Sequence, residues 1–289
     1  MDGNLVRRVG FAAVAIPVAL LVVWYGGLPL AFLLAVAGAL ATRELFDLAE
    51  RDQIRPARTI GLASAAAIAP IAYATIAAPD VRALVAAAWP YAAALWLIGL
   101  LTWALVARAP TERPLAAAAV TLLAVAYTAG LPSFLLDMRH HGYGLRSWAG
   151  AWLVFFPLVV TWVCDTAAML GGRAFGGPKL APTVSPGKTR SGSAAGVIGG
   201  LVVAPLFGVA IFPRVGLAIP IWQLLAIAAV LGIVGQVGDL AESLFKREAG
   251  VKDSSRLIPG HGGVLDRLDS LYFVVPVAAA MYRLFGIIA

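Results

Sequence analysis

An all-α bundle crossing a membrane about nine times is the fold class that three features of this sequence predict. Hydrophobic residues make up 61% of the 289 and charged residues 13%. Soluble domains run at about 45–50% apolar and about 25% charged. The apolar residues fall in long runs divided by short polar stretches. The basic residues gather on alternate connections, which is the asymmetry that orients membrane proteins.

A membrane helix needs about 20 mostly apolar residues. Nine segments are candidates: 9–25, 28–42, 59–78, 83–107, 115–136, 149–171, 193–212, 217–237 and 269–288. The second is short and the fourth contains Pro90, so eight or ten spans stay open. Arg7 and Arg8 precede the first run as in an export signal, but no small-x-small site directly follows it. It reads as an uncleaved first span. Frequent alanine suits close helix packing. Gly192, Gly196 and Gly200, and Gly232, Gly235 and Gly238, form small faces that packing alone explains. No internal repeat or long linker divides the chain. It reads as one membrane domain, 1–289, with spans one to five in 1–148 and the last four in 149–289.

With the N-terminus inside, seventeen of the 22 Lys and Arg residues fall on inner segments. Arg82, Arg139, Arg146 and Arg214 fall outside, and Arg283 lies in the last span, where it can snorkel. The expectation is an N-in, C-out protein of a bacterial-type inner membrane, with its polar loops on the cytoplasmic face. Trp24, Trp148 and Trp222 then lie near outer ends, as interfacial aromatics do. The net charge of +7 reads as this inner excess, attracted to anionic lipid, and no nucleic-acid partner is expected. Cys164 is the only cysteine, which excludes an internal disulfide. His140 and His141 read as a solvated outer loop.

Two inner loops differ from plain turns. The first, 171–192, is rich in Gly, Pro, Lys, Ser and Thr; the second, 239–269, is long and densely charged. Asp239, Glu242 and Lys246 recur at i, i+3 and i+7, so a continuing helix would put them on one face with Ser243 beside them. Asp266 and Asp269 form a second acidic pair at the start of the last span. Two acidic pairs at one membrane edge suit a hard divalent cation, which takes oxygen ligands. Five basic residues surround them, and Gly260, Gly262 and Gly263 let backbone amides approach a phosphate. Phosphate with Mg²⁺ is one reading; a loop satisfied by its own salt bridges against lipid headgroups is the other. Asp165, inside an apolar run, is a functional candidate or a partner for Arg173 or Lys188. Gly187-Lys188-Thr189 ends like a P-loop, but Pro182 stands where that loop needs glycine, and no strand precedes it.

The run from Ser243 to Asp269 resembles the signature of the phosphatidate cytidylyltransferases. It has Ser243, Lys246-Arg247, Lys252-Asp253, Ser255, Ile258-Pro259-Gly260-His261-Gly262-Gly263 and Asp266-Arg267-Leu268-Asp269 at the family's spacing. The earlier loop matches less fully. It keeps Asp165-Thr166, Gly172, Phe175-Gly176, Ser185-Pro186 and Lys188-Thr189. Met169, Gly187 and Ser191 stand where the family has Tyr, Lys and Glu. The aspartate-dense motif of CDP-alcohol phosphotransferases does not occur in the sequence. A transporter would line several spans with charge, whereas here only Asp165 lies deep.

The resemblance implies transfer of CMP from CTP to phosphatidate, giving CDP-diacylglycerol and pyrophosphate. It implies Mg²⁺ held by Asp239, Asp266 and Asp269; a second cation, K⁺ included, stays open. Asp165, Lys246 and Arg267 join these aspartates as expected catalytic residues. Ser185, Lys188, Thr189, Ser243, Arg247, Lys252, Asp253, His261, Gly262 and Gly263 are the expected substrate-binding residues. Partners are CTP, phosphatidate and membrane lipid, with a homodimer left open. The runner-up is a non-catalytic or specialised relative that binds lipid phosphate or nucleotide.

Overall fold

A computed structural model of the chain describes residues 3–258, 260 and 262–288. Helix α1 is Gly3–Tyr25, α2 Gly27–Arg51, α3 Arg58–Ala77 and α4 Pro79–Ala107. Helix α5 runs Pro114–His140 through a π turn at Ala126–Gly130. Helix α6 is Trp148–Phe175. A two-stranded antiparallel hairpin follows, β1 Lys179–Ala181 and β2 Ser185–Thr189. Helix α7 is Arg190–Val215, α8 Ile221–Glu248, α9 Leu265–Leu268 and α10 Leu271–Leu284.

Every expected span coincides with one of these helices. Seven of them, α2 to α8, are long and apolar enough to cross a membrane. The ninth expected span is the main departure. Helix α10 has 14 residues, about 21 Å at about 1.5 Å per residue, against a hydrocarbon core of about 30 Å. Asp269 and Ser270 form a turn before it, and the chain turns again at Gly286, whose φ is +67°.

The chain packs as two compact units. The first comprises 1–22, 27–136 and 248–267; the second comprises 23–26, 137–247 and 268–289.

Small residues let helices approach within the first unit. A Cβ on Gly61 of α3 would strike the Phe46 ring of α2, and one on Gly38 would stand 3.1 Å from Ala129 Cβ. Buried hydroxyls satisfy each other or the backbone. Thr42 and Thr128 share a 2.6 Å bond, and Thr121 Oγ1 accepts from Ala57 N at 2.9 Å. Each is a polar cross-link in an apolar interior, where an unmade bond is costly.

In the second unit the two glycine faces pack as expected. Cβ atoms on Gly192 and Gly196 would come within 2.6 Å and 3.0 Å of Ala168 O and Cys164 O of α6. Gly232 faces Val197 of α7, and Gly235 faces Val274 of α10. Phe156, Phe207 and Phe212 form a mutual ring cluster, with Trp152 against Phe207. Trp24 and Trp148, both expected at outer ends, meet at 5.5 Å.

The expected solvated loop at 139–141 is different. Helix α5 continues to His140, and Arg139 is fully buried. Its guanidinium donates to Val23 O, Trp24 O and Gly144 O at 2.7, 2.5 and 3.1 Å. It therefore caps carbonyls at the C-terminal end of α1, which have no partner within their own helix. His140 is also buried, with Nδ1 3.3 Å from Tyr143 O. His141 stays half-buried, 3.7 Å from Asp137.

Candidate active site

The expected continuation of the eighth span beyond residue 237 is real. Helix α8 reaches Glu248, so Asp239, Glu242, Ser243 and Lys246 share a helical face. Gly238 gives this stretch its place: a Cβ there would stand 2.9 Å from Asp269 O and 3.2 Å from Phe273 Cβ. Only a residue without a side chain lets α8 come so near the start of α10.

Asp239 links this face to the first motif loop. Its Oδ2 lies 2.5 Å from Lys188 Nζ, and its Oδ1 accepts from Ser243 Oγ at 3.2 Å. Lys188 sits on β2, one residue before Thr189, which caps α7 by accepting from Gly192 N at 3.1 Å. Arg247 Nε donates to Val184 O at 3.1 Å, tying the end of α8 to the hairpin turn. The two motif loops thus meet in the second unit through both Lys188 and Arg247. Ser185 opens β2 and is half-buried.

Asp269 is half-buried with its Oδ1 accepting from Ser270 N at 2.6 Å. Burial and then the neighbouring Asp239 carboxylate push its pKa up to about 6, against the pull of the Ser270 amide, Lys246 and Lys188. Asp165 of α6 is within electrostatic reach of Asp269, Asp239 and Lys188. Three carboxylates and a lysine therefore form one coupled group. Lys246 is mostly buried and engaged elsewhere on its helix, 3.0 Å from the fully buried Glu242. Among the described residues no set of three or more His, Cys, Asp or Glu side chains closes around a single point.

Asp266 belongs to the first unit and organises the glycine-rich segment there. Its Oδ2 accepts from Ser254 N at 2.9 Å, Ser254 Oγ at 2.8 Å and Gly263 N at 2.7 Å. Gly262 has a φ of +82°, and a Cβ there would stand 2.6 Å from Asp266 Oδ2. Ile258 N donates to Gly262 O at 2.8 Å, closing the turn. Lys252, Asp253 and Arg267 are exposed around it. His261 lies outside the described residues.

The three unusual positions differ in their surroundings. Met169 is 47% exposed. Gly187 is exposed, with open space where a side chain would go. Ser191 donates to Gly176 O and lies 3.1 Å from Thr189 Oγ1, so its hydroxyl ties the end of α6 to the start of α7.

One residue of this region carries no motif. Glu44 of α2 is 3% exposed, and its carboxylate accepts from three donors of the signature segment, with Ser254 Oγ 3.1 Å away. Glu44 lies among charged residues in the sequence, where no local pattern marks it. The expected span stopped at residue 42, which left Glu44 in a loop.

Fold and site together define a multi-pass helical membrane protein with a coupled carboxylate–lysine group. The family model described as the cytidylyltransferase family matches residues 6–285. This chain belongs to the cytidylyltransferase family. It is 50% identical over 139 residues to the phosphatidate cytidylyltransferase of Brucella suis biovar 1 (strain 1330), covering 47% of each chain. It is 40% identical over 160 residues to that of Staphylococcus saprophyticus, covering 55% of this chain and 57% of the relative. With that of Staphylococcus haemolyticus it shares 44% over 135 residues, covering 47% and 50%. The chain spans about half the length of the curated relatives it matches.

Proposed function

We propose that this protein is a phosphatidate cytidylyltransferase acting at the cytoplasmic face of a bacterial inner membrane. A phosphate oxygen of phosphatidate attacks the α-phosphorus of CTP. The bond from that phosphorus to the bridging oxygen of the β-phosphate breaks, and pyrophosphate leaves with the electron pair. The products are CDP-diacylglycerol and pyrophosphate. The attacking oxygen is already anionic, so no strong base is needed; the work is alignment and charge neutralisation.

The observation that carries this reading is the coupled group of Asp239, Asp269, Asp165 and Lys188. Its carboxylates offer only oxygen ligands, and a cation would relieve the repulsion from Asp239 that adds to burial in raising Asp269. That chemistry fits Mg²⁺, which commonly binds through one or two carboxylates plus substrate phosphates rather than a closed protein cage. Asp239 and Asp269 would hold it, with Asp165 beside them. When bound it would neutralise triphosphate charge. Lys188 orients on Asp239 and is ready to contact phosphate. In the signature segment, Lys252 and Arg267 serve phosphate oxygens, and Asp266 holds the turn at Gly262–Gly263 in place. The basic asymmetry of the loops supports the cytoplasmic assignment.

Incorporation of radiolabelled CTP into lipid by the purified protein, with phosphatidate present, tests the proposal. Mg²⁺-dependent labelling is expected. CTP binding without any turnover would leave the non-catalytic relative as the better reading.

A further inference from the structure

The signature segment is held to helix α2 by one carboxylate. Glu44 Oε1 accepts from Ser255 Oγ at 2.7 Å and from Val264 N at 3.0 Å. Glu44 Oε2 accepts from Leu265 N at 2.7 Å and stands 3.1 Å from Ser254 Oγ. These donors come from both sides of the glycine-rich turn, so one side chain pins the entry and the exit of the loop together. Asp266 repeats the pattern from within the loop, bonding Ser254 and Gly263. There is no slack in the arrangement: a Cβ on Gly263 would run into Ser254 Oγ and Glu44 Oε2.

A buried carboxylate is costly unless strong, charge-assisted hydrogen bonds compensate it. Here those bonds all go to a loop that carries Lys252, Asp253, Gly262 and Gly263, four of the expected substrate-binding residues. We propose that Glu44 is a positioning residue for that loop, holding Lys252–Asp253 and Gly262–Gly263 in the arrangement that receives the nucleotide. This rests on the cytidylyltransferase reading above. Glu44 itself touches no substrate.

Glu44→Gln is an informative change because it keeps size. The amide oxygen can serve one pair of donors, but the amide nitrogen then faces the other pair. A serine hydroxyl can rotate to accept; the backbone N–H of Val264 or Leu265 cannot. One end of the loop is therefore released.

The test uses purified full-length wild type, Glu44→Gln and the milder Ser255→Ala, each checked for folding by thermal denaturation. Hydrogen exchange should rise by about tenfold or more in peptides covering Ser254–Ser255 and Val264–Leu265, with α6 and α7 unchanged. The KM for CTP should rise by about tenfold or more while that for phosphatidate stays within about twofold. Ser255→Ala should move both readouts the same way by about two- to threefold. A loss of apparent kcat with both KM values unchanged would mean only less folded protein, and would overturn the positioning role. Unchanged exchange in Glu44→Gln would overturn it too. If the wild type turns over no CTP, the functional reading fails separately, and exchange alone then decides whether Glu44 clamps the loop.

Discussion

Asp239→Asn separates catalysis from stability. The substitution keeps the size of the side chain and removes its charge. That charge has two opposed effects in the structure. It pairs with Lys188 at 2.5 Å, and it repels Asp269. The Lys188 and Asp239 side chains are 27% and 28% exposed, so their pair is solvated and contributes about 1 kcal/mol or less. Relief of repulsion at Asp269 offsets part of that loss. The folded state should shift by less than about 1 kcal/mol, which moves Tm by about 2–4 °C at most in a chain of this size. Turnover should respond on another scale. Removing the charge that aligns Lys188 and would hold a cation should cut CTP turnover at saturating Mg²⁺ by at least about 100-fold, equivalent to about 2.7 kcal/mol. The assay is labelled-lipid formation beside a thermal ramp on the same preparation. Near wild-type turnover and Mg²⁺ dependence, with Tm preserved, would refute the assignment of Asp239.

Other outcomes follow from the same geometry. Asp269 is pushed up to about 6, so a proton competes for it below that pH and the ionised form is available above it. Mg²⁺ should therefore stabilise the protein more strongly at about pH 7.5 than at about pH 5.5, and equal Tm shifts would contradict this. Ser191→Glu should leave turnover within a few-fold, because Asp165, Asp239 and Asp269 already supply the negative charge; a gain of about 100-fold would mark a specialised relative instead. In a Cys164→Ala background, cysteines placed near Lys188 and Lys252 should label from the cytoplasmic side. Labelling only from the periplasm would reverse the proposed topology.

Hydropathy located every described helix but the four-residue α9, because an apolar run of about 20 residues has few alternatives in a membrane protein. The glycine faces at 192–200 and 232–238 were legible for the same reason: small residues at helical spacing pack closely. Helix ends were harder. Helices α2, α5, α6 and α8 run several residues beyond their apolar cores, where charged side chains continue the helix. That extension hid Glu44 and Arg139, which sit in polar sequence yet are buried. The hairpin at 179–189 was hidden because its strands are three and five residues long, interrupted by Pro182 and Pro186. The motif around Asp239 was legible from its i, i+3, i+7 spacing. Its pairing with Lys188 joins residues 51 positions apart and leaves no local pattern. The bonds from Glu44 to Ser254 and Leu265, more than 200 positions apart, leave none either.

The bond that breaks is the central claim, and the fate of two phosphate labels tests it most directly. Purified protein, phosphatidate and Mg²⁺ would be given CTP labelled at either the α- or the γ-phosphate. The expected result is α-label in lipid, γ-label only in pyrophosphate, and equal amounts of the two products. Transfer of γ-label to lipid, or pyrophosphate release without labelled lipid, would contradict nucleotidyl transfer to phosphatidate.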